Sequence, residues 1–211
     1  MKKKLMTFLA LVLVIAMSVA GTYAYLTSRD SVTNTFTVGN VSITLDEQDT
    51  DNDTNESDNV TVNGKVRDKA NAYKLMPGIT YTKDPTVHVD PASENCYVFV
   101  KVENGIAAYE AEGDTTIAKQ IENNGWTKLD GVDGVDNVYY KEYTKGETAR
   151  DLVVFNNFKV SDTANTVDGW SSINTTNTTI VVTAYAVQKD GFETNVAGAW
   201  AAAVAAATPT P

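Results

Sequence analysis

One cysteine, Cys96, and one histidine, His88, are the scarcest reactive residues among the 211. So few exclude a disulfide framework within the chain, a cysteine-rich zinc site, and any catalytic triad or dyad that needs a second Cys or His. Cations are also short, with Lys+Arg 17 against Asp+Glu 27 and a net charge of -10. No positive surplus is available to displace counterions from a phosphate backbone, which excludes nucleic acid as a partner. Hydrophobic residues make up 43% and charged residues 21%. That is enough apolar surface to exclude wholesale disorder, at a length that suits one domain. What stays open is metal-free binding or structural work, or catalysis on carboxylates and hydroxyls. No cofactor is expected.

Residues 1–24 read as a signal peptide. Lys2, Lys3 and Lys4 precede an apolar run over residues 5–20, shorter than the roughly 20 residues of a membrane span. Small residues follow, and cleavage is expected after Ala24, leaving no stable membrane span. An uncleaved anchor is the alternative. Cleavage removes three lysines and no acid, so the mature net charge is -13.

Residues 25–207 read as one mainly β domain, a jelly-roll-like sandwich with one or two short helices. Val41, Ile43 and Leu45 alternate with polar residues, the period of a half-buried strand. Further strands are expected at 82–89, at 96–103 with Cys96, Val98, Val100 and Val102 on one face, and at 178–188. Residues 137–144 and 152–160 flank Lys145-Gly146-Glu147 and read as a hairpin. Residues 115–123 space Ile117 and Ile121 for a short amphipathic helix, and the Ala-rich 192–207 suits a second. The tail 208–211, Thr-Pro-Thr-Pro, cannot continue a helix and should fray. Residues 46–59 contain no apolar residue and read as a solvated acidic loop.

Within that loop, Asp49, Asp51, Asp53 and Asn55 place oxygens at alternate positions, as the start of a calcium loop does. The pattern breaks where Thr54 replaces Gly and Val60 replaces a bidentate Glu, so a hydrated loop is the reading we take. His88 alternates with Val87 and Val89 and is expected to face solvent without a catalytic role. Cys96 is expected as a small buried apolar residue rather than a reactive thiol. Trp126, Tyr139, Tyr140, Tyr143, Trp170 and Trp200 suit core packing before a sugar platform.

Three stretches together resemble the TasA/camelysin (CalY-like) family of exported proteins. They are Gly21-Thr-Tyr-Ala-Tyr-Leu-Thr-Ser28 with residues 32–45, then Met76-Pro-Gly-Ile-Thr-Tyr-Thr-Lys-Asp-Pro-Thr-Val87, then Ala184-Tyr-Ala-Val-Gln-Lys-Asp-Gly-Phe192 with Ala199-Trp200. Residues 107–172 carry little that matches. The resemblance implies a jelly-roll β-sandwich processed by a SipW-type signal peptidase in a Gram-positive bacterium. It also implies a place in the extracellular biofilm matrix or on the cell surface, with self-association or related matrix subunits as partners. Family members are also filed as metallopeptidases. One His and no H-E-x-x-H give that label no ligand set here, so no catalytic residue is assigned. A camelysin-like metal-dependent endopeptidase and a monomeric surface binding module remain as alternatives. After cleavage, residues 25–38 form a free arm with Val32, Phe36 and Val38 on one parity. Such an arm can pair with an open sheet edge of a neighbouring subunit, and non-closing repetition of that contact makes a fibre.

Overall fold

Alternation over Cys96–Asn104 builds the strand around which the rest is laid. Cys96, Val98, Val100 and Val102 point into one buried cluster, as the sequence predicts. Tyr97 and Phe99 point into a second on the opposite side. The structure, a computed structural model, describes residues 40–50, 60–62, 65–173 and 178–207. Over these the chain is mainly β, and no described helix is long and apolar enough to cross a membrane.

The strands are β1 (Ile43–Gln48), β2 (Val60–Val62), β3 (Lys65–Asp68), β4 (Thr80–Thr82), β5 (Thr86–Val89), β6 (Cys96–Asn104), β7 (Thr127–Lys128), β8 (Val138–Tyr143), β9 (Asp151–Val153), β10 (Asn157–Lys159) and β11 (Ile180–Gln188). One sheet runs β2-β3-β1-β5-β9 and another β11-β6-β8-β7, with β10-β4 as a separate pair. Val87 and Val89 of β5 share their cluster with the even-numbered residues of β6, so the two larger sheets enclose the main core between them. Helix α1 (Ile117–Asn123) buries Ile117 and Ile121 and is capped by the Thr116 hydroxyl, which accepts from Lys119 N–H. Helix α2 (Val196–Ala207) covers the outer side of the four-stranded sheet. There Trp200 packs edge-on against Tyr185 at 5.1 Å and lies 5.5 Å from Phe99.

Several expectations are corrected. Residues 137–144 and 152–160 are not a hairpin: β8 pairs with β6 and β7, whereas β9 pairs with β5 in the other sheet. The turn at Gly146 exists, with Glu147 N–H donating to Thr144 O. The chain leaving it crosses the core instead of returning along β8. Residues 152–160 then break at Val154 and Phe155, both fully buried; two adjacent inward side chains cannot sit on one pleated strand. The expected strand 82–89 likewise divides at Lys83-Asp84-Pro85 into β4 and β5, because Pro85 has no N–H for a ladder. Helix α2 begins at Val196 rather than Phe192, since the Asn195 side chain accepts from Gly198 N–H at 2.9 Å and caps it.

The acidic loop is corrected at its start. Asp46, Glu47 and Gln48 are the second half of β1, and Asp46 and Glu47 are 4% exposed. Residues 51–59 lie outside the described residues, as do 1–39 and the tail 208–211.

Candidate functional site

The edges of the two larger sheets differ in length. β2 and β9 have three residues and β7 has two, whereas β11 has nine. Thr179 O accepts from Gly105 N–H and Lys189 N–H donates to Asn95 O, so odd-numbered residues of β11 turn their backbone groups toward the β6 side. In an antiparallel ladder the alternate residues turn theirs away. Ile180, Val182, Ala184, Ala186 and Gln188 therefore aim N–H and C=O at the outer edge, where no described strand pairs. The strand carries no charge and no proline, the usual devices that blunt such an edge.

Beside this edge lies a groove of about 880 Å³. Residues 178–182 line it consecutively, as a strand edge does, and residues 68–75 form a facing wall. Leu45, Pro85, Ile106 and Phe158 supply apolar surface, and Asp46, Glu47 and Lys83 make one part polar. Ile180, Val182 and Ala184 pack against the main core. A strand added at this edge would thus project alternate side chains over an apolar wall.

The polar part is fully engaged. Arg67 Nε donates to Asp46 Oδ1 at 2.5 Å, and its Nη1 reaches Asp84 Oδ2 at 3.0 Å. Its Nη2 donates to Asp84 O and to the Thr86 hydroxyl. Burial acts to lower the Arg67 pKa, but the bonds and charges of Asp46 and Asp84 hold it above its ordinary value. His88 Nε2 meets Asp46 Oδ1 at 3.0 Å and Nδ1 meets Asp151 Oδ1 at 2.7 Å. His88 does face away from Val87 and Val89, but its side chain is only 15% exposed. The solvated histidine is corrected to one clasped between β1 and β9. With both ring nitrogens engaged and Arg67 on the same Asp46 oxygen, the site is an ion-pair clasp. Next to it, Glu47 accepts from Lys83 Nζ and from Asn71 Nδ2. Neither group was visible in the sequence. The only signal was two consecutive acids directly after Leu45.

Of the calcium candidates, Asp49 is described, and Asp51, Asp53 and Asn55 lie outside the described residues. So do Ala24 and the arm residues Val32, Phe36 and Val38. Among the described residues no group of three His, Cys, Asp or Glu is placed to hold a metal ion. Trp126, Tyr139, Tyr143 and Trp200 are buried, so these four are core residues. No family model, curated protein or solved structure matches the chain.

Proposed function

We propose that this is a secreted structural protein of the extracellular matrix or cell surface of a Gram-positive bacterium, built as a jelly-roll-like sandwich that assembles into fibres by strand donation. The observation that carries the reading is the nine-residue outer edge of β11 beside an apolar groove. The resemblance to the TasA/camelysin family points the same way and supplies the donor, the arm of residues 25–38, along with a SipW-type peptidase to free it. Three anchors, Val32, Phe36 and Val38, contribute about 5–9 kcal/mol on burial. Association costs about 4–15 kcal/mol, so anchors alone do not hold a fibre. Backbone bonds along β11, at about 0.5–1.5 kcal/mol each, complete it. The endopeptidase alternative has no specific observation in its favour.

Electron microscopy of the secreted protein with and without residues 25–38 tests the reading. The full mature chain should form filaments, and the truncated chain should remain a soluble β-rich monomer that binds a synthetic peptide of residues 25–38. Filaments from the truncated chain, or a full chain that stays monomeric, would overturn it.

A further inference from the structure

Glu47, Asn71 and Lys83 meet beside the groove in an arrangement that an ion pair alone does not require. Glu47 and Lys83 are 4% and 8% exposed. One carboxylate holds two groups: Oε2 accepts from Lys83 Nζ, and Oε1 accepts from Asn71 Nδ2 at 3.0 Å. The Asn71 amide is fixed in orientation by its other contacts. Nδ2 donates to Gln48 O at 3.0 Å, which can only accept, and Oδ1 accepts from Thr50 N–H at 2.7 Å, which can only donate. Oδ1 also accepts from the Thr50 hydroxyl at 2.8 Å. An amine, a primary amide, a carboxylate touching both, and two donors on the amide oxygen are the parts of an acyl transfer.

We propose that Asn71 and Lys83 become joined by an amide bond that the folded chain makes for itself, with Glu47 carrying the protons. The ammonium of Lys83 gives one proton to the carboxylate it touches, which removes two buried charges and frees the amine lone pair. Nζ attacks Asn71 Cγ, and the carbonyl electrons move onto Oδ1, where Thr50 N–H and Oγ–H receive the charge. Glu47 passes its proton to Nδ2, the Cγ–Nδ2 bond breaks, and ammonia leaves into the groove that all three residues line. The second proton on Nζ returns to Glu47. One N–C bond has formed, one has broken, nothing is oxidised, and Glu47 ends as the neutral acid. Holding amine and amide on one carboxylate replaces a bimolecular encounter by an intramolecular one. The bond ties the segment after β3 to the turn between β4 and β5. It lies within one chain, so it does not depend on assembly.

The test is the mass of the secreted protein and of its tryptic peptides. The mature chain should be lighter than its sequence by about 17 Da, one ammonia. After cleavage at Lys69 and Lys74, the peptide carrying Asn71 should stay joined to the one carrying Lys83. Lys83→Arg and Glu47→Gln should each have the full mass of their own sequence, with the two peptides separate. A wild-type digest yielding both peptides unjoined overturns the proposal, even where a variant fails to fold. A loss that persists in Lys83→Arg, as ring closure at Asn63-Gly64 would give, also overturns it.

Discussion

Cys96 and His88 sit on successive strands in opposite settings. Cys96 is fully buried, and burial pushes its thiol up to about 11, so almost none of it is the reactive thiolate at neutral pH. A thiol reagent near pH 8 should leave the native protein unlabelled and add one label in denaturant; rapid labelling of the native protein would contradict this. For His88, burial acts to lower the pKa, but the bonds to Asp151 and Asp46 outweigh it and hold it above the ordinary value. A raised folded value stabilises fully below the unfolded value of about 6.5 and is lost as pH rises through the folded one. Asp151 is 57% exposed and Asp46 only 2%, so solvent screens the first partner and the second carries most of the effect. Melting temperature should fall as pH rises above about 6.5, and His88→Asn should flatten that slope. An unchanged slope in the variant would place the titration elsewhere. The direction of the His88 side chain was legible from period 2. Its burial was not, because its partners come from strands 42 and 63 residues away in sequence.

At the level of elements, periodicity read correctly where alternation runs unbroken against the core. β6, β11 and the start of β1 lie close to where alternation placed them, and α1 follows its Ile117/Ile121 spacing. It failed where charges replaced apolar residues at strand positions. Asp46 and Glu47 belong to β1 because Arg67, His88 and Lys83 arrive from other segments to neutralise them, and no local pattern announces such long-range partners. Arg67→Met would leave Asp46 and Asp84 short of their main counter-charge and should cost about 3 kcal/mol in denaturant unfolding. A change under about 0.5 kcal/mol would mean the pair is no more than a surface contact. Residues 51–59 hold like charges and no apolar group to bury, so a Gly/Ser linker in their place should shift the melting temperature by only a few degrees. Extending that replacement through Asp46–Gln48 should unfold the sheet. α2 makes the matching case on the other side: Trp200→Ala should cost about 3–5 kcal/mol by emptying the space against Phe99 and Tyr185.

The whole molecule depends on which strands lie at its margins, and that order was the least legible feature. Sheet order is set by pairings such as β1 with β5 and β5 with β9, which lie far apart in sequence, whereas a turn signal such as Lys145-Gly146-Glu147 marks only where the chain bends. Once the order is known, β11 stands out as the long uncharged edge, and its backbone parity allows a test that leaves the interior alone. Ala184 turns its N–H outward, so Ala184→Pro removes a donor from the edge that no described strand pairs, without breaking a bond to β6, the position at which an edge strand tolerates proline. Its side chain lies among partly buried residues, and the substitution adds little volume. The variant should keep its β-rich spectrum and elute as a monomer. Binding of a peptide of residues 25–38 to the truncated variant should weaken at least about tenfold, from one lost bond and the ring's obstruction of the incoming strand. Thr183→Pro is the matched control: Thr183 turns its N–H toward Lys101 of β6, so there the same residue should destabilise the fold itself. Equal peptide binding by Ala184→Pro and the parent would show that the arm does not pair along β11.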